Sequence, residues 1–420
     1  MANGLRRFWS ALGPGLVTGA ADDDPSGIAT YSQAGAQFGF ALTWTMFLTL
    51  PFMAAIQIIS AWVGWRTRQG LARNLAKQLP APVLLALVAL LVVANTINIA
   101  ADLAAMGEAL KLVIGGPQVF YALVFGGICL VLEVAIPYHR YAGLLKFIAL
   151  VLLVYVAAAF SVKIPWGEVV RATFIPQVSL DRDMILTIVA VFGTTISPYL
   201  FFWQASQEAE ESRLSHRIRH GKTPKGAHFS HIVSDTWIGM IFSNLVAFFI
   251  IVTTAATLHM AGVTKVDTAA QAAEALRPIA GNLAFFLFSM GIIGTGLLAV
   301  PVLAGSAAYA AAETFGLRGS LELPASRALG FYAIVGAATL GGAALTATNI
   351  DAITMLFWSA VINGIAAVPI MVATMWIVTR GEGARKLALP RWIKVLGWLA
   401  ALLMALAVGL LIWSSVTGNS

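Results

Sequence analysis

The feature that most restricts what this chain can become is a series of long apolar stretches that take up most of its 420 residues. Eleven are legible, at about Phe8–Phe38, Ala41–Trp65, Val83–Val113, Val119–Pro137, Leu144–Val162, Met184–Gln207, Ile238–Leu258, Leu283–Ala312, Leu329–Thr348, Ala352–Val378 and Ile393–Val416. Most reach the roughly 20 residues that an α-helix needs to cross the hydrocarbon core of a bilayer. Lipid offers the backbone no hydrogen-bond partner, so such spans must be helical. The expectation is therefore an all-α polytopic membrane protein of one transporter domain, 1–420. Charge supports this: only 11% of residues are charged, 59% are hydrophobic, and mean hydropathy is +0.84. A soluble chain would carry about a quarter charged residues.

The net charge of +7 is a topology signal. With the N-terminus inside, the outer segments hold only Lys111, Lys163, Arg171, Arg182, Lys265 and Arg277. The other 20 of the 26 Lys and Arg residues fall on the inner side, as the positive-inside rule requires. Eleven spans then put the N-terminus in the cytoplasm and the C-terminus outside. No nucleic-acid partner is needed to explain the basic excess. Met1–Ser10 is short and basic, and the apolar run after it carries acids rather than a small-residue cleavage site, so no cleavable leader is expected. The single Cys129 forms no intrachain disulfide and reads as a small core residue. There is no HExxH, GxSxG or Walker sequence, which argues against an enzyme.

Two spans are interrupted, and they carry the functional reading. The first breaks at Asp22-Asp23-Asp24-Pro25-Ser26-Gly27 and the sixth at Thr194-Thr195-Ile196-Ser197-Pro198. Proline removes a backbone donor and clashes with the preceding turn, and a carboxylate at membrane depth marks a functional site by default. Five spans separate the breaks. Spans one to five and six to ten thus form two halves, about 8–162 and 183–379, each opening with a broken helix, with an extra helix at about 393–416. This is the pattern of an inverted-repeat transporter with its site at the midplane. Asp24 and unwound carbonyls would meet a cation there, while Asp22 and Asp23 either attract cations or are merely solvated.

At this point the residues resemble the Nramp divalent-metal transporters. The matching segments are Gly13-Pro14-Gly15, Asp24-Pro25-Ser26-Gly27-Ile28-Ala29-Thr30 and Gln33-Ala34-Gly35-Ala36-Gln37-Phe38-Gly39, with Asp102-Leu103-Ala104 in the third span and Asp235 and Asn244 in the seventh. The resemblance implies a LeuT-type 5+5 inverted repeat with helices one and six broken. It places Asp24 on the metal-binding Asp and Thr194 on the carbonyl donor.

The departures from the family pattern carry as much information. The family Asn of the first break is Gly27 here, and its Met-Pro-His of the sixth span is Ser197-Pro198-Tyr199. A Met thioether suits softer transition metals, and here a Ser hydroxyl stands in its place. The expected metal set is Asp24, Gly27, Thr194 and Ser197, with Asp22, Asp23, Tyr199, Asp102 and Ala360 as accessory positions. Ala360 stands where the family has Gln. Losing the two larger side chains is expected to widen the site, which suits an ion that keeps several waters, as Mg2+ does. The closest likeness is to the bacterial Nramp-related magnesium transporters. The family's proton-carrying acids of span three appear as Asn95 and Ala105, and Tyr199 replaces a titratable His. Glu108 is expected to pair with Lys111.

The leading expectation is a bacterial inner-membrane carrier of Mg2+, also passing Mn2+, without proton coupling. The alternative is a proton-coupled Mn2+/Fe2+ symporter. A sodium-coupled carrier of organic solutes is disfavoured because Asp24 would repel a substrate carboxylate. The expected partners are the transported ion and the lipid bilayer. No cofactor and no obligate protein partner are inferred. The His-rich loop from Glu208 to Ser230, with His231 just beyond, reads as a solvated basic loop, and Glu313 and Glu322 read as surface acids.

Overall fold

The computed structural model describes residues 14–136, 150–219, 225–321, 323–348, 350–380, 385 and 387–417. His220, Glu322 and the fifth expected span before Leu150 lie outside the described residues. The helices that place the site are α1 (Pro14–Asp22), α2 (Pro25–Phe38), α3 (Trp44–Thr67), α4 (Ala81–Ile114), α5 (Gln118–Ala135), α6 (Leu153–Ser161), α7 (Trp166–Phe174), α8 (Arg182–Thr195), α9 (Pro198–Arg219), α10 (Lys225–Thr254), α11 (Ala284–Thr314), α12 (Leu329–Leu345), α13 (Ala352–Thr379) and α14 (Arg391–Thr417).

Eight stretches of helix among the described residues are long and apolar enough to cross a membrane, α8 and α9 together making one of them. The pair α1 and α2, the shorter α12, and α6 with the turn before it stand at the remaining three expected positions. The helix preceding α7 bends by 118° into it, and α7 was not foreseen as a helix. The chain turns there through Pro165, which cannot continue a hydrogen-bonded ladder.

The outer surface is apolar, as lipid requires. Leu402, Leu406, Ile412 and Trp413 on α14 are exposed, whereas Asp22, Asp23, Asp24, Asn98 and Asp102 are buried. This inverts the soluble pattern, because in a bilayer the polar groups find partners only inside the bundle.

Small residues let the helices approach closely. Gly15 and Gly19 form a Gly-x-x-x-Gly face on α1 that lies on α10: a Cβ on Gly19 would come within 2.3 Å of the Gly239 carbonyl oxygen. The Gly15 N–H donates to Asp235 at 2.7 Å, so Asp235 satisfies an orphan donor at the start of α1. Gly64 of α3 meets the Ala205 carbonyl of α9, and Gly193 of α8 meets the Ala360 carbonyl of α13, each at about 2 Å from an added Cβ (2.0 and 2.1 Å). Ala360 therefore contributes a backbone contact that seats α8.

Glu313 is not the free surface acid expected from sequence. It accepts the Gly70 N–H at 2.7 Å and the Arg73 N–H at 3.2 Å, tying the end of α11 to the short helix Leu71–Leu75. A carboxylate there meets backbone N–H groups that the helix itself leaves unpaired.

Candidate functional site

Both breaks are narrower than the sequence suggested, for one reason. The chain unwinds only at Asp23–Asp24 and at Ile196–Ser197, and each second half restarts with a proline, Pro25 and Pro198. Proline is tolerated at the first helical position because its missing N–H is an orphan there anyway. Asp24 then acts as the N-cap of α2. Its Oδ1 accepts the Gly27 N–H at 2.7 Å and the Ser26 hydroxyl at 2.7 Å. The other oxygen, Oδ2, accepts from Asn98 Nδ2 at 3.0 Å and faces the Tyr199 hydroxyl at 3.4 Å.

The two broken helices cross at these points. Tyr199, in the first turn of α9, donates to the Ala21 carbonyl at 3.0 Å, so it bridges the end of α1 and Asp24. On the other side, the Ser26 and Thr194 hydroxyls approach to 3.5 Å. The C-terminal ends of α1 and α8 thus meet the N-terminal ends of α2 and α9. Free carbonyls at helix C-termini favour cations, and N-termini favour the carboxylate.

The expected ligands take unequal places. Asp24 and Thr194 come together at the crossing. Ser197 is buried there, but its hydroxyl turns back on α8, donating to the Gly193 and Thr194 carbonyls at 2.9 and 2.8 Å. That is the back-bonding open to a Ser at a helix end, so the Thr194 carbonyl is already engaged. Gly27 does not widen the site as expected. An added Cβ would lie 3.2 Å from both Thr194 Oγ1 and the Tyr31 ring, so these two side chains fill the space that a larger residue would occupy. Ala360 is buried against the last turns of α8.

Asp22 and Asp23 are not solvated. Both are buried, and the Ser243 hydroxyl of α10 contacts Asp22 Oδ2 at 2.6 Å and Asp23 Oδ1 at 3.0 Å. Asp102 of α4 is buried with neither oxygen hydrogen-bonded, within electrostatic reach of Asp24. Among the described residues no ion pair reaches any of these acids. Buried carboxylates without a counter-charge are costly.

Glu108 is drawn both by the backbone N–H of Ala269 and, as expected, by the charge of Lys111. Asn95 donates to the Leu303 carbonyl at 2.9 Å and to Ser306 at 2.6 Å, a structural anchor between α4 and α11. His228 lies against Trp65, with ring centroids 4.1 Å apart, and no cluster of three or more His, Cys, Asp or Glu fit for a metal occurs among the described residues.

Sequence reasoning missed Asn98, Ser26, Ser243 and Tyr31. A signal existed for Asn98: it lies four residues before Asp102, on the same face of an apolar helix, and polar residues inside spans are seldom idle. At the C-terminal end of α2 and the N-terminal ends of α8 and α13 lies a cavity of about 360 Å³ lined by Gln33, Gln37, Asp183, Thr187, Asp267 and Trp358 among others. The acids at the crossing are closed off from solvent.

Comparison with known proteins gives the same frame. The family model described as natural resistance-associated macrophage protein-like matches residues 15–414. A divalent metal cation transporter MntH of Klebsiella pneumoniae is 27% identical over 415 residues, covering 97% of this chain and 94% of that one. The MntH of Yersinia enterocolitica is 29% identical over 297 residues, 69% of each. Among solved structures, the manganese transporter of Eremococcus coleocola, in complex with an aromatic bis-isothiourea compound, superposes with a TM-score of 0.76 at 17% identity, over 98% of this chain and 87% of that one. The matched span, the broken first and sixth helices and the acid at their crossing make this multi-pass membrane protein a member of the Nramp family, with its all-α LeuT-type fold.

Proposed function

We propose that the chain transports divalent cations by alternating access, Mg2+ foremost and Mn2+ as well, without a coupled proton. The observation that carries this reading is the carboxylate of Asp24 at the crossing of the broken helices, a hard oxygen ligand whose contacts are O–H and N–H groups and include no sulfur. Hard oxygen donors suit Mg2+ and Mn2+, whereas Cd2+ and other soft ions favour sulfur. The ion is held by Asp24 with the oxygens of Thr194 and Ser197, on a backbone that Gly27 allows to come close. Asp22, Asp23, Asp102, Tyr199 and Ala360 shape and charge the surroundings. The repeats, about 8–162 and 183–379, rock against each other around this point, with the helix at about 393–416 outside them.

An uncoupled carrier is energetically sufficient. A potential of about 100 mV, negative inside, drives a divalent cation inward by roughly 4.6 kcal/mol, at about 2.3 kcal/mol per charge. The second reading is a proton-coupled Mn2+/Fe2+ symporter; a manganese transporter among the solved structures that share the fold favours its Mn2+ part. Against it stand Asn95, Ala105 and Tyr199. Asn and Ala do not titrate, and a Tyr hydroxyl has a reference pKa of about 10. In proteoliposomes holding a pH dye, Mg2+ added outside under an imposed potential should enter without matching acidification. Acidification proportional to Mg2+ flux, lost in Asp102→Asn, would establish the symporter.

The same reading sets the chain in a bacterial inner membrane with the N-terminus cytoplasmic and the C-terminus external. Cysteine placed at exposed Ser415 should be labelled by an impermeant reagent from outside, and cysteine at exposed Arg318 only after the membrane is opened. Labelling of both from one side would refute the topology.

A further inference from the structure

Among the described residues at the crossing, one buried polar atom that the site has not yet accounted for belongs to the side chain of Asn98. Asn98 sits in the middle of α4 among apolar neighbours and is 0% exposed. Its Nδ2 donates to Asp24 Oδ2 at 3.0 Å. A carboxylate only accepts, so this contact settles which way the amide faces: the NH2 is toward Asp24 and Oδ1 is turned away from it. That Oδ1 is buried with no hydrogen-bond partner. A buried amide oxygen is ordinarily paired, and an exception calls for a reason. One helical turn further on the same face, both oxygens of Asp102 are likewise unpartnered.

The side chains at the other approaches to the site are already engaged. Ser197 is bonded to α8, Ser26 to Asp24, and Tyr199 to Ala21. Residue 27 brings no side chain, and its surroundings are filled by Thr194 and Tyr31. The carboxamide oxygen of Asn98 is a neutral hard donor beside the Asp24 carboxylate that no protein group uses.

We infer that Asn98 is a binding residue of the ion site. Its N–H holds Asp24 Oδ2 in place, and its carbonyl oxygen receives the divalent cation, directly or through one water of the ion's shell. This rests on the reading that Asp24 holds the transported cation. A neutral oxygen adds coordination without adding negative charge to a region that already contains Asp22, Asp23 and Asp24. It favours ions that accept hard oxygen ligands and retain water.

The experiment uses the full-length protein in detergent. Mg2+, Mn2+ and Cd2+ binding is measured by titration calorimetry, with ultraviolet absorption recorded during the Cd2+ titration, for wild type, Asn98→Ala, Asn98→Asp, Asn98→Cys and Asp24→Ala. Loss of one partner at a metal site typically costs about 10–100-fold in affinity, and Asn98→Ala should lose Mg2+ affinity on that scale. Asn98→Asp, nearly isosteric, should keep or tighten Mg2+ binding. Asn98→Cys should gain Cd2+ affinity together with a thiolate-to-cadmium charge-transfer band that the wild type, with only buried Cys129, lacks.

A residue that merely props up Asp24 would give no such band. Asn98→Cys without band or Cd2+ gain, together with Asn98→Asp as weak as Asn98→Ala, would overturn the inference while wild-type binding stands. If the wild type and Asp24→Ala bind Mg2+ alike, the reading of the Asp24 site fails, and this inference fails with it.

Discussion

Asp24→Ala is expected to abolish Mg2+ binding and uptake while the protein still folds. Asp24 is the acid at which the two broken helices meet, with contacts from α2, α4 and α9 on its two oxygens. No other described side chain collects so many partners from different helices at the crossing. Stability is affected less than function, because two effects oppose each other. Losing an N-cap carboxylate costs about 1 kcal/mol, and the Asn98 and Tyr199 donors lose an acceptor. Against this, one of three successive buried carboxylates disappears, which relieves like-charge repulsion and the burial of a charge. Calorimetric binding, liposome flux and thermal unfolding on the same preparation separate the two outcomes. A purified Asp24→Ala protein that transports Mg2+ at the parental rate would place the site elsewhere.

Gly19→Leu is expected to disrupt the membrane domain itself. An added Cβ would lie 2.3 Å from the Gly239 carbonyl oxygen and 2.4 Å from its carbon. These are backbone atoms of α10, which cannot rotate away as a side chain would. Even modest overpacking of a close contact costs about 1–3 kcal/mol, and here the branched side chain must push α1 off α10. Three connections go with it: the Gly15 N–H bond to Asp235 and the Ser243 contacts to Asp22 and Asp23. The half-helix then no longer delivers its end to the crossing, so Mg2+ binding is lost along with stability. Size-exclusion profile and unfolding temperature in detergent measure this. A Gly19→Leu protein as stable and as active as wild type would show that α1 does not need this close approach.

These two residues differ in how far they were legible. Asp24 was visible in the sequence because a carboxylate before a proline inside an apolar span has few innocent explanations. Gly19 was not, since a glycine in such a span is ordinary until the opposing helix is known. The same holds for Asn98. Its polarity could be read along the chain, but its target could not, because Asp24 lies 74 positions away on another helix. Asp22 and Asp23 left two readings open at the sequence level, and their shared contact with Ser243 of α10 excludes the solvated one.

Local rules therefore account for part of this protein and long-range geometry for the rest. Apolar length made the spans, because lipid leaves the backbone no partner but itself. Proline and an N-capping acid made the break at Asp24, through forces that act within one helical turn. Side-chain direction at the crossing came only from the fold. Thr194 fills space beside Gly27, Tyr199 reaches the Ala21 carbonyl from α9, and Asn98 reaches Asp24 from α4. Each of those outcomes depends on which helix lies opposite and how closely it approaches. That is set by packing between residues far apart in the chain, and no window of sequence contains both partners.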